Sequence, residues 1–187
     1  SVVRAYQQAG ATALSVLTDT PYFGGTDDDL RAARQACSLP ILRKDFTIDE
    51  FQLVESRVLG ADAVLLIAAA LTREQCRRFA EIAHQLELEV LLEIHDQSEL
   101  DYYSEYVDVL GVNNRNLGSF HTDVANSFRL IEQMPQEATP ISESGISNPD
   151  TVKELRAIGF KGFLIGENFM KTEAPGDSLK SFINALN

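Results

Sequence analysis

Residues 40–67 read PILRKDFTIDEFQLVESRVLGADAVLLI. The two ends, Pro40–Leu42 and Ala63–Ile67, are short apolar runs without polar alternation, the pattern of strands covered on both faces. Between them Asp49 opens a segment of helical period, Asp49–Leu59, as a residue able to accept hydrogen bonds from first-turn amides. Gly60 follows, where a helix commonly ends in the left-handed conformation that glycine adopts freely. Strand, capped helix, glycine and strand form a unit whose two strands lie parallel.

The unit recurs in both directions. Strands are predicted at Ala13–Leu17, Glu89–Ile94, Val107–Val112, Pro140–Ser142 and Gly162–Ile165. Helical period fills the intervals at Asp27–Ala36, Thr72–Leu86, Gln97–Tyr106, Thr122–Gln133, Asn148–Ile158 and Asp177–Leu186, with a short helical piece at Glu167–Met170. Asp27, Thr72 and Asn148 are the expected caps, Pro149 suits a first helical position, and Gly159 ends its helix. The chain opens on a helix-like segment, Val2–Ala9, with no strand ahead of it. Seven strands after an orphan helix predict an α/β fold of the TIM (β/α)8 barrel type, here incomplete, with seven parallel strands and the first missing. The competing doubly wound sheet calls for a Gly-rich dinucleotide turn, and the sequence contains neither GxGxxG nor GxxxxGKS/T. No linker or low-complexity stretch divides the chain, so residues 1–187 read as one N-terminally truncated barrel domain.

Composition narrows the partners. At 44% apolar and 24% charged residues the chain is globular in character. A net charge of −12 disfavours nucleic acid, whose binding rests on clustered Lys and Arg. No apolar run approaches the length of a membrane span, and no signal segment opens the chain. Cys37 and Cys76 stand far apart and in no metal-ligand spacing, which predicts reduced, at least partly buried thiols, no metal, and a cytoplasmic protein.

Barrel active sites lie at the C-terminal ends of the strands. The polar residues there are Thr18–Thr20, Arg43-Lys44-Asp45, Glu93 with His95 and Asp96, Asn113–Asn116, Ser142–Ser144 and Glu167-Asn168. Lys44, Glu93 and Glu143, with an amide and an arginine, make a plausible acid/base set. Glu93 ends the apolar run Val90-Leu91-Leu92, where a carboxylate is costly unless paired. Lys44 reads equally well as a snorkelling lysine, Asn113-Asn114-Arg115 as a turn, Phe23 and Phe46 as core rings, and His95 as a structural or surface histidine. Ser144-Gly145 and Gly166-Glu167 follow the last two strands, the second pair opening the short helical piece. Barrels bind phosphate with such loops, because glycine lets backbone N–H groups approach the anion.

Six ordered stretches carry a family resemblance: LPILRKDFTIDEFQL (39–53), ADAVLLIAAAL (61–71), VLLEIHD (90–96), LGVNNRNL (110–117), ISESGI (141–146) and FLIGENFM (163–170). The chain resembles indole-3-glycerol phosphate synthase over essentially its whole length. The resemblance implies a (β/α)8 barrel that closes the ring of 1-(2-carboxyphenylamino)-1-deoxyribulose 5-phosphate, releasing carbon dioxide and water, in tryptophan biosynthesis, with no metal or organic cofactor. It implies Lys44 as general acid, Glu93 as the carboxylate of proton transfer in the dehydration, and Asn113 and Glu143 as orienting and polarising groups. It implies Phe23, Phe46 and Leu65 at the aromatic ring, Arg115 near the phosphate and ribulose end, and Ser144, Gly145, Gly166 and Glu167 at the phosphate. The family's first strand carries a Glu-x-Lys motif, and its N-terminal helix helps form the pocket; neither precedes Val2–Ala9 here. The resemblance therefore implies a weakly active or inactive fragment whose exposed strand edges self-associate. The alternatives are a barrel like phosphoribosylanthranilate isomerase, or a non-catalytic fragment that keeps phosphate affinity.

Overall fold

The computed structural model describes every residue except Leu117 and Phe120, so the last residue of the 110–117 motif lies outside the described residues. The strands are β1 (Leu14–Leu17), β2 (Ile41–Lys44), β3 (Ala63–Ile67), β4 (Glu89–Ile94), β5 (Val109–Asn113), β6 (Pro140–Glu143) and β7 (Gly162–Leu164). They form one seven-stranded parallel sheet in chain order, a nearly closed barrel. The helices are α1 (Val2–Ala9), α2 (Thr20–Phe23), α3 (Asp27–Ala36), α4 (Glu50–Leu59), α5 (Arg73–Gln85), α6 (Ala125–Leu130), α7 (Pro149–Ala157), α8 (Glu167–Met170) and α9 (Pro175–Leu186).

Period-2 alternation sorts the strand residues into two cores. Val64, Leu66, Val90, Leu92, Leu110 and Val112 face outward, against Leu53, Phe79, Ala80, Ala83 and Leu155 of the helices. Leu42, Leu65, Ile67 and Leu91 face inward and meet Val109, Ile141 and Leu164, filling the barrel's interior. Each fully buried leucine contributes roughly 1.5–3 kcal/mol. The helix ring closes where the sheet does not. Helix α1 packs on α9 so tightly that a Cβ built on Gly176 would lie 2.6 Å from the Cβ of Ala5, and Tyr6 touches both outer clusters. Among the described residues β1 pairs only with β2 and β7 only with β6.

Several boundaries differ from those expected. Strand β2 runs on through Arg43 and Lys44, because Val16 and Leu17 pair with them. Thr26, not Asp27, caps α3: its hydroxyl accepts from the Asp29 amide while Asp29 reaches back to the Thr26 N–H. Gln97–Tyr106, expected as a helix, is a 3₁₀ helix over Gln97–Tyr102 that stops at extended Tyr103. The Tyr102 hydroxyl donates to the Leu71 carbonyl, pulling this segment onto the barrel in place of a further turn. Thr122–Gln133 holds a helix only over Ala125–Leu130, followed by a 3₁₀ turn, since Thr122 bridges Arg115 instead. The polar stretch after β1 contains the one-turn α2, capped by Asp19.

Candidate active site

Lys44, Glu93, Asn113 and Glu143 all lie at the C-terminal ends of inner strands. The register pairs Asn113 with Glu143 and Glu93 with Gly111, and Gly111 lies two residues before Asn113, so these side chains share the inner face. Leu65, 1% exposed, lies beneath them among the inner apolar residues. Gly111 is required by this packing: a Cβ there would stand 2.3 Å from Glu143 Oε1.

Alternation also explains the Arg43–Phe46 run. Arg43 points outward into a nest: it bonds Glu55 at 2.6 Å, Asp27 at 3.1 Å, Ser56 Oγ at 3.0 Å and Thr18 Oγ1 at 3.0 Å. Thr18 in turn donates to Asp45 at 2.7 Å. Lys44 and Phe46 are the intervening residues. The Phe23 and Phe46 rings stack at 5.3 Å with a 6° interplanar angle, and the Lys44 ammonium lies 5.7 Å from the Phe23 centroid. Both rings stay half-buried, and Phe46 also packs on the inner apolar cluster, so the stack forms a wall of the mouth that continues into the core.

Glu93 and Glu143 are 2% and 1% exposed. Burial, then the charge of Glu93, then a shared hydrogen bond with Glu93 push the Glu143 carboxyl well above its ordinary range, against the opposing pull of Lys44. Among the described residues Glu143 Oε1 has no hydrogen-bond acceptor or donor of its own. A proton on Glu143 gives it a donor toward Glu93, so the two buried groups act as one proton-sharing pair.

His95, read from sequence as a structural or surface histidine, lies in this site. It continues the alternation two residues beyond Glu93, and its side chain is only 13% exposed. That i+2 spacing was the available signal. Asn114, read as part of a turn, is 4% exposed. Its amide donates to Ser142 Oγ at 3.0 Å and to the Ser144 carbonyl at 3.1 Å. Its carbonyl oxygen accepts from the Ser127 hydroxyl at 2.8 Å and the Ser127 amide at 3.2 Å. Asn114→Ala strands several of these buried groups and is expected to lower unfolding free energy by about 2–4 kcal/mol, measured by urea denaturation.

This network sits under the Ser144-Gly145 turn, where both residues have positive φ, 71° each. Gly145 is forced, since a Cβ would meet Thr122 Cγ2 at 2.3 Å. Ser144 Oγ donates to Asn113 Oδ1 at 2.9 Å, and the Arg115 amide donates to the same oxygen at 2.9 Å. Gly166 precedes α8 with open space where a Cβ would stand. The Arg115 guanidinium bonds Glu167 at 3.1 Å, linking the loop after β5 to the one after β7. The candidate residues thus fall into three parts of one barrel mouth: an aromatic wall, a buried acid/base layer and a Gly-bearing rim. No group of His, Cys, Asp and Glu suited to a metal occurs among the described residues.

The solved structures most like this chain include 3-hexulose-6-phosphate synthase from Salmonella typhimurium. It matches with a TM-score of 0.76 and 14% identity, over 97% of this chain and 90% of that one. KGPDC from Streptococcus mutans gives 0.71 and 14%, over 99% and 90%. At such identities these matches establish the barrel fold alone. The sequence relatives say more. The indole-3-glycerol phosphate synthase of Bacteroides thetaiotaomicron is 58% identical over 185 residues, 99% of this chain and 71% of its own length. That of Neisseria meningitidis serogroup C is 49% identical, over 92% of this chain and 66% of its own. The family model described as indole-3-glycerol phosphate synthase matches residues 1–182. With the site's geometry beside these matches, the chain belongs to the indole-3-glycerol phosphate synthase family.

Proposed function

We propose that this barrel mouth performs the synthase reaction itself: ring closure, decarboxylation and dehydration of 1-(2-carboxyphenylamino)-1-deoxyribulose 5-phosphate to indole-3-glycerol phosphate. The observation that carries the reading is the convergence of Lys44 with the buried Glu93–Glu143 pair between an aromatic wall and a Gly-bearing rim. The Phe23–Phe46 stack and Leu65 take the carboxyphenyl ring. Ser144, Gly145, Gly166 and the Glu167 backbone take the phosphate, with Arg115 turning from Glu167 toward the anion. Both Arg115 and Glu167 side chains are solvent-accessible, 42% and 80%, so their pair is weak enough to exchange.

The chemistry assigns the protons. As the carboxyl-bearing aromatic carbon bonds to the ketone carbon, charge develops on the ketone oxygen, and Lys44 delivers a proton to it. Loss of carbon dioxide returns the electron pair that restores the aromatic ring. Dehydration then needs a proton on the departing hydroxyl and removal of one from carbon, the transfer for which Glu93 is placed. Asn113, its Oδ1 already occupied, and Glu143, with an unpartnered oxygen, orient and polarise the substrate.

The test is release of labelled carbon dioxide from substrate labelled in its carboxyl group. The synthase reading predicts release matched to product. An isomerase-like barrel would rearrange a substrate without release, and a phosphate-binding fragment would bind without turnover; either result would remove the reading. The net charge of −12 argues against a nucleic-acid partner, and the free thiols of Cys37 and Cys76 support a cytoplasmic enzyme. Self-association through the edges of β1 and β7, unpaired among the described residues, is part of the same proposal. A purely monomeric mass by sedimentation would contradict that part.

A further inference from the structure

His95 is fixed at its backbone, while among the described residues its ring makes no hydrogen bond. Its amide donates to Glu99 Oε1 at 2.7 Å, and its carbonyl accepts from the Asn126 side chain at 2.8 Å. Among the described residues neither ring nitrogen has a hydrogen-bond partner. The ring is instead set between two carboxylates, with Nε2 3.7 Å from Glu93 Oε2 and Nδ1 3.6 Å from Glu99 Oε1. The charged groups facing it are Glu93 on β4, Glu99 on the 3₁₀ helix and Asp96 in the intervening loop. Asn126, the α6 group that bonds it, is neutral.

We propose that His95 is a positioning residue, which through its ring beside Glu93 sets the proton of the Glu93–Glu143 pair on Glu143. The inference rests on the synthase reading for its catalytic consequence, but the electrostatic coupling stands apart from turnover. A cation beside Glu93 favours negative charge there, and two carboxyls in one buried site cannot both carry charge cheaply. Burial pulls the His95 imidazole down, but Glu99 together with the charges of Glu93 and Asp96 outweighs it and leaves the ring above its ordinary value. That direction favours the imidazolium beside Glu93.

Proton NMR of the imidazole C2–H groups tests the coupling directly. The chain has three histidines, His84, His95 and His121, assignable by single replacement with Gln. The proposal predicts that Glu93→Gln weakens proton binding at His95 roughly tenfold or more and leaves His84 and His121 unmoved. An unchanged His95 titration would overturn it. The second readout is the pH profile of kcat. In His95→Gln the acidic limb moves to higher pH, its midpoint falling at about tenfold lower proton concentration, with KM little altered, and His95→Lys moves it back. Uniform loss at every pH, with both replacements equally impaired, would make His95 merely structural. If no turnover occurs but the His95 titration responds to Glu93→Gln, the synthase reading fails and the coupling survives.

Discussion

Lys44→Ala is expected to lower kcat by about 10²–10⁴ while changing KM little, in steady-state assays of product formation. The reason lies in where β2 ends. Leu17 pairs with Lys44, which makes the lysine the last strand residue and gives it the parity of inward-facing Leu42. Its ammonium is held beside Phe23 and close enough to Glu143 to oppose that group's shift. Among the described residues Lys44 is the group whose charge opposes the Glu143 shift, while Arg43 faces outward into its own ion-pair nest. On the proposed mechanism, removing the ammonium takes away the proton donor for the ketone oxygen and leaves the Phe23–Phe46 stack in place. Equal losses in binding and turnover, with a raised KM, would assign Lys44 to substrate binding alone.

Glu143→Gln is expected to abolish most activity and yet stabilise the protein above neutral pH. A carboxyl raised in the folded state binds protons that the unfolded chain has already released. Between the ordinary carboxylate range and its raised folded value, stability therefore falls as pH rises. His95, also raised, acts in the same direction through its own window. Gln keeps the shape, bonds Glu93 as a donor and does not titrate. The melting temperature of Glu143→Gln should exceed that of the unaltered protein at about pH 8, and the advantage should vanish near pH 4. The rate loss is expected at about 10²–10³, the scale for removing one polarising group. Destabilisation at pH 8 would show that the buried carboxyl is not strained by its burial. Stabilisation there would make the site one case of stability given up for a preorganised pair.

How much was legible in the sequence depends on what each residue contacts. Ala63–Ile67 and Glu89–Ile94 were read to the residue because strands buried on both faces are apolar throughout. The β2 boundary was missed because Arg43 and Lys44 look like loop residues. Only the tertiary nest of Asp27, Glu55 and Thr18 makes an arginine acceptable on a strand. The helix expected over Gln97–Tyr106 had helical composition but was overruled by the Tyr102–Leu71 bond across the barrel. Lys44, Glu93 and Glu143 were visible because polar residues at the ends of apolar strands are conspicuous, Asn113 came through the resemblance alone, and the structure gathers all four in one mouth. Asn114 and His95 were not, since their importance comes from groups distant in the chain. Asn114 meets Ser142 across 28 positions, and His95 matters through Glu99 as well as Glu93.

The most direct test is the rise of indole fluorescence when the protein meets the synthase substrate. The chain contains no Trp, so it adds no indole background of its own. A rising signal at a measurable rate is expected, lost in Lys44→Ala while that variant still binds the substrate. A flat trace, or a rise that Lys44→Ala leaves intact, would contradict the synthase reading.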